Sequence, residues 1–205
     1  MILGKKNLFG RLAILASVCL LAACASTDFL PVRYQLPSTA ADLSGRQVFL
    51  EVVDARSQTS IFGPSMQENF RHFTGNFALK VARDESSEMM LGAYDLKGLF
   101  RAALAQRLQQ AGVDVVMAEA PSAARMTVTL TRFELRQDTL KWYADISYQA
   151  ELSRIESLKA SQNVSGTEER MRVPGSKNIE KVLGDIFTTI INRLDLNRLF
   201  AAAHV

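Results

Sequence analysis

Few side chains in this 205-residue sequence can do chemistry, and the one whose setting specifies a reaction is Cys24. Lys5, Lys6 and Arg11 come before an apolar run that closes on Leu21-Ala22-Ala23, directly ahead of the cysteine. Cations, an apolar core and small residues at a cut site are the parts of an export signal. Elsewhere the supply is thin. His72 and His204 are the only histidines, and both cysteines, Cys19 and Cys24, lie within or directly after that export signal. A metal site needs several ligands at matched spacing, and neither a His/Cys cluster nor an Asp-rich loop offers them. Gly63-Pro64-Ser65-Met66-Gln67 opens like a nucleophile elbow but places Gln where the second glycine belongs. Phosphate-binding glycine loops are missing, and Asp84-Glu85 and Glu168-Glu169 read as solvated charge rather than an acid and base pair. The expectation is a protein with no catalytic activity, no cofactor and no metal.

Leu21-Ala22-Ala23-Cys24 resembles the lipobox of bacterial lipoprotein precursors, in which the thiol is acylated and the chain is cut just before it. The resemblance implies a signal peptide over residues 1–23, cleavage between Ala23 and Cys24, and membrane lipid as a partner through acylated Cys24. The run from Leu12 to Ala23 is too short to span ~30 Å of hydrocarbon, which takes about 20 apolar residues. Acyl chains contribute ~0.8 kcal/mol per buried methylene, and two or more of them make anchoring stable. In such lipoproteins an aspartate after the cysteine resembles an inner-membrane retention signal. Here Ala25 stands in that position and Asp28 arrives too late, which implies the outer membrane of a Gram-negative cell, facing the periplasm.

Charge excludes one class of partner. Three of the 24 Lys and Arg residues lie in the leader, so the remaining 21 balance 21 Asp and Glu. Nucleic acid is not expected, because phosphate binding needs a clustered positive surplus. The rest of the chain has the length of one ordinary domain. Residues 24–44, with Pro31, Pro37, Ser38 and Thr39, read as a lipidated N-terminus and an extended tether, which leaves a single domain over residues 45–205.

The elements that must position any site follow from periodicity. Val48, Phe49, Leu50, Val52 and Val53 predict a buried strand ending at Asp54-Ala55-Arg56. Between residues 57 and 94, Phe70, Phe73, Phe77, Leu79 and Val81 suit one or two short strands among the turns at Gly63-Pro64 and Gly75-Asn76. Asp95 caps an amphipathic helix carrying Leu96, Leu99, Phe100, Ala103, Leu104, Leu108 and Ala111 and stopping at Gly112, and Val113 to Met117 return as a short strand. Met126, Val128 and Leu130 alternate with threonines, and Trp142, Ala144, Ile146, Tyr148, Ala150 and Leu152 share one face of the next strand. Gln137-Asp138-Thr139 joins the two as an antiparallel hairpin. A polar edge strand follows over Ser161 to Val173, and Asn178 caps a second amphipathic helix through Leu194. The fold class expected is α+β, a mostly antiparallel sheet with two amphipathic helices packed on it.

Two groups of residues are candidates for an interaction surface. Asp54 and Arg56 point to the same side at a strand end, where they serve either as a turn-anchoring ion pair or in binding. Phe62, Phe70, Phe73 and Phe77 pack in a core or present an apolar patch to a protein or lipid.

In sequence order, Leu43-Ser44-Gly45 leads to Asp54-Ala55-Arg56, Asp95-Leu96 opens a helix ending at Ala111-Gly112, and Val128 to Phe133 precede Tyr143 to Ala150. Lys177-Asn178-Ile179 then heads the last helix. In these motifs the chain resembles the YajG family of Gram-negative lipoproteins, although Ile61 to Tyr94 is longer than that pattern. The resemblance implies an envelope lipoprotein with a binding or structural role, an envelope protein partner and no catalytic residues to carry over. A second resemblance covers less of the chain. Arg33-Tyr34-Gln35-Leu36-Pro37 is similar to the Tyr-x-Leu segment of auxiliary lipoproteins of ABC-type lipid or solute transporters. It implies a subunit whose tether or sheet edge docks a transport partner by strand addition.

Overall fold

Leu30, Val32, Tyr34 and Leu36 alternate with Pro31, Arg33 and Gln35, and this period of two builds the first strand, β1, over Asp28–Gln35. The computed structural model describes residues 28–39, 41–84, 87–155, 158–171 and 178–205. All four alternating apolar residues are buried, Val32 and Tyr34 completely. The tether expected over residues 24–44 is therefore corrected from Asp28 onward, since burying four side chains of this size stabilises by several kcal/mol that an extended linker would forgo. Pro31 obscured the strand, because proline lacks the donor a sheet ladder needs. It shares its register with Arg33 and Gln35, whose backbone faces a helix rather than the neighbouring strand, so no ladder bond is lost.

The remaining elements follow in chain order: β2 Gln47–Asp54, the one-turn helix α1 Pro64–Gln67, β3 Phe73–Ala82, β4 Glu88–Tyr94, α2 Leu96–Gln110 and β5 Asp114–Val116. Then come β6 Ala124–Gln137, β7 Lys141–Ile155, β8 Leu158–Met171, α3 Asn178–Arg193 and α4 Leu196–Ala202. The class is α+β, as the sequence predicts. The strands form two mixed sheets rather than one mostly antiparallel sheet: β1-β3-β4, with β1 parallel to β3, and β5-β2-β6-β7-β8, with β2 parallel to both neighbours. The stretch between residues 57 and 94 supplies two strands of the smaller sheet, and α4 extends the helical layer beyond the two helices expected.

Local signals explain the boundaries. The Asp95 carboxylate accepts a hydrogen bond from the Gly98 amide at 2.8 Å and so caps α2. Gly112 stops that helix with φ +83°, and a Cβ there would fall 2.6 Å from Ser44 Oγ. Asp138 Oδ1 accepts from the amides of Leu140 and Lys141, closing the β6–β7 hairpin. The face of β7 from Trp142 to Leu152 is buried as expected, and β8 is an edge of its sheet. Asn178, expected as a cap, is the first residue of α3, and Val173 lies outside the described residues.

The helix α3 holds the two sheets together. Its Val182, Leu183, Ile186, Phe187, Ile190 and Ile191 are buried against β1, β7 and β8. At Gly166 of β8 a side chain would meet Ile190 at 2.7 Å, and at Gly184 of α3 it would meet the Arg33 carbonyl at 3.1 Å. Both glycines let the helix lie close to a strand. Phe100 of α2 stands edge-on to Phe133, Tyr148 and Phe187 at 5.2–6.1 Å, which places one aromatic centre between the layers.

Candidate functional site

Ala23 and Cys24, the predicted cleavage and lipidation residues, lie outside the described residues, so the anchor is approached through the fold that begins at Asp28. No helix among the described residues is long and apolar enough to cross a membrane.

The structure brings Asp54 and Arg56 together at the end of β2. Arg56 Nε and Nη2 donate to the two carboxylate oxygens of Asp54, each at 2.8 Å, and the Asp54 carboxylate also accepts from the Arg56 amide. The guanidinium is only 7% exposed and reaches the carbonyls of Phe133 and Thr59 as well. Arg56 thereby holds the Asp54 carboxyl below the usual carboxylate range. The turn-anchoring reading describes this pair: of five donor contacts, three close on Asp54, one on Thr59 and one reaches Phe133 of β6, and the carboxylate has little capacity left to accept from a ligand.

Beside the pair, Ser57, Ser60, Thr131, Arg132 and Glu134 line a polar cleft of about 420 Å³. Arg132 of that lining lies 3.9 Å from Asp145, which is buried on the face of β7 opposite the core run. Burial alone would raise the Asp145 pKa. Hydrogen bonds from Thr167 and Arg136, with the charges of Arg136 and Arg132, outweigh it and hold the carboxyl below its ordinary value. A carboxylate kept ionised by three surrounding groups is poorly suited to general acid work.

Phe62, Phe70, Phe73 and Phe77 are brought together, but not as an exposed patch. Phe62 stacks on Phe70 at 4.3 Å, meets Phe73 edge-on at 5.3 Å, and Phe73 meets Phe77 at 5.4 Å. Phe77 in turn reaches Phe133, so the series is the outer arm of the aromatic core. Phe62 and Phe77 are buried and Phe70 and Phe73 half-buried. Of the two readings of these four, core packing describes the contacts: each ring finds a partner ring within the fold.

Ser65, at the elbow-like segment, donates to the Gln137 carbonyl at 2.7 Å and not to a base. His72 is exposed and accepts from Arg71 Nε at 3.1 Å. Among the described residues no group of three or more His, Cys, Asp or Glu side chains is placed to hold a metal ion.

A buried polar knot around Arg107 escaped the sequence reading. Arg107 is 9% exposed and donates to the carbonyls of Ile191, Asn192 and Leu194, the end of α3. Tyr148 donates to the Ile190 carbonyl at 3.1 Å, and Tyr34 to Asn192 Oδ1 at 2.9 Å. Asn192 Nδ2 and Thr188 Oγ1 then bind the Gln35 carbonyl and amide, tying β1 to the helix. Burial lowers the Arg107 pKa and raises those of both tyrosines. The guanidinium completes carbonyls that a helix end leaves open and faces the negative end of its dipole. The available signal was a charge on an apolar stripe: Arg107 falls four residues after Ala103 and four before Ala111.

No family model and no curated protein matches the chain. Among solved structures, protein XCC0632 of Xanthomonas campestris, of the family DUF330, is similar in fold, with a TM-score of 0.50 and 12% identity over 85% of this chain and 95% of that one. The rare lipoprotein B of Shewanella oneidensis aligns at a TM-score of 0.44 and 9% identity over 78% of this chain and 96% of its own. A minor lipoprotein of Acinetobacter baumannii aligns at 0.39 and 13% over 75% and 93%. The fold of this chain is thus one found in a solved bacterial structure.

Proposed function

We propose that this chain is an envelope lipoprotein of YajG type, cut before Cys24, acylated there, and held on the periplasmic face of the outer membrane, where it has a binding or structural role without catalysis. The observation that carries this is Leu21-Ala22-Ala23-Cys24 after a cationic and apolar leader, followed within four residues by a folded domain. What supports the absence of catalysis is the use already made of the polar groups: Asp54, Arg56, Asp145 and Arg107 each hold the fold together. The test is palmitate labelling and fractionation of wild type against Cys24→Ser. The wild type is expected in the membrane fraction with label, and the variant unlabelled and uncut. A variant processed and retained like wild type would overturn the reading.

A second reading, an auxiliary subunit of an ABC-type lipid or solute transporter, is favoured by one observation. β4 is an edge of the smaller sheet, and its Met89 and Met90 are 54% and 55% exposed. Strand addition by an envelope protein partner fits there. It does not fit Tyr34-Gln35-Leu36, whose apolar side chains are buried and whose backbone is engaged by β3 and α3. Copurification of a permease or substrate-binding partner that is lost on Met90→Asp would favour this role over a purely structural one.

A further inference from the structure

Residues 25, 26 and 27 are all that separate Cys24 from the first residue of β1. At ~3.3–3.6 Å per residue, the step from Cys24 to Asp28 cannot exceed about 14 Å. A domain on so short a lead must present one particular end to whatever holds Cys24.

That end is identified by two independent sets of contacts. Asp28 pairs with Phe73, whose ring meets Phe62, and Phe62 bridges to Leu135 just before the β6–β7 turn. Ser65 ties the same turn to α1 through Gln137. Separately, α3 runs alongside β1 in the same direction, with Gly184 against Arg33 and Asn192 against Gln35. It runs against β8, with Asp185 on Arg170 and Arg193 on Ser165. β8 therefore finishes, and β7 begins, where β1 starts, because Met171 pairs with Lys141. The end that carries Asp28 also carries Phe29, Leu140 and Met171, which are 40%, 62% and 59% exposed. Two cations there have carboxylate partners: Lys141 lies 2.7 Å from Glu169 and Arg71 lies 3.5 Å from Glu68.

We propose that this end of the fold lies against the phospholipid surface, with Leu140 and Phe29 seated at the boundary between headgroups and acyl chains. The inference rests on acylation of Cys24. It commits the surface to lipid because Asp28, four residues from the anchor in sequence, stands at the same end of the fold as these side chains, and an exposed Phe and Leu gain by leaving water there. The exposed Met89 and Met90 sit toward the opposite end of β4, opposite Val81 and Lys80, and stay in the aqueous phase.

The experiment uses the acylated protein in phosphatidylethanolamine and phosphatidylglycerol vesicles, labelled with bimane at Leu140→Cys or, as a control at the other end, at Ala201→Cys. Lipid-borne nitroxide is expected to quench the Leu140 label several-fold more than the Ala201 label. Equal quenching in protein that still floats with the vesicles would overturn the membrane-facing assignment while leaving the anchor intact. Protein that no longer floats would overturn the anchor itself and this inference with it. A Leu140 label shielded in native membranes but fully water-exposed on vesicles would assign the surface to a protein, and would also overturn the proposal.

Discussion

Arg107 carries a charge into the interior and spends it on three backbone carbonyls, so its removal exposes a cost that a surface arginine would not. Arg107→Met leaves the carbonyls of Ile191, Asn192 and Leu194 without their donor, and a loss of about 3 kcal/mol in urea unfolding is expected. Arg56→Ala removes a clamp that is nearer the surface, and about 1–2 kcal/mol is expected by the same measurement. Asp54 and Asp145 make the stability depend on acid. Both carboxyls are held below their ordinary values in the fold, so their contribution is complete above the ordinary carboxylate range and is lost as pH falls through the lowered values. Unfolding midpoints measured from pH 7 to pH 3 should therefore decline for wild type, and decline less steeply for Asp145→Asn. The local chemistry of Asp54 and Arg56 was legible, since residues two apart at a strand end face the same side. The Arg107 knot was not, because its acceptors are backbone atoms more than 80 residues away.

Among the elements, β1 joins the smaller sheet to α3. It closes one edge of the smaller sheet, and Thr188 and Asn192 satisfy its other edge from α3. Its Val32 and Tyr34 amides should exchange with deuterium as slowly as those of β2, whereas a tether would exchange within the dead time. Val32→Asp buries a charge with no partner among the described residues and should abolish cooperative unfolding. Long elements with unbroken periodicity were legible: α2 from its Asp95 cap to Gly112, the β6–β7 hairpin, and α3. β1 was hidden by Pro31 and by its place after an export signal, where a linker is the ordinary expectation. The second sheet was hidden for another reason. Period-two patterns mark a strand but do not say which strand it pairs with, and β1 finds β3 across some 40 residues of chain. The phenylalanine series shows the same limit, because an aromatic cluster on turn-rich sequence looks alike whether it is covered or exposed.

At the scale of the whole molecule, two sheets share α3, buried polar side chains such as Arg107 and Asp145 serve the fold, and one end carries Asp28, four residues after Cys24 in sequence. This arrangement suits a protein that works by where it is held and what it touches. Met89 and Met90, exposed on the edge strand β4, lie at the end of the fold opposite Asp28. Everything in that account depends on the covalent state of residue 24. Intact-mass and N-terminal peptide spectrometry of the protein extracted from membranes addresses it directly. The predicted result is a mature chain beginning at Cys24 and heavier than its sequence by the mass of a diacylglyceryl group with an added N-acyl chain. A chain beginning at any other residue, or an uncut precursor with a free Cys24 thiol, would contradict it.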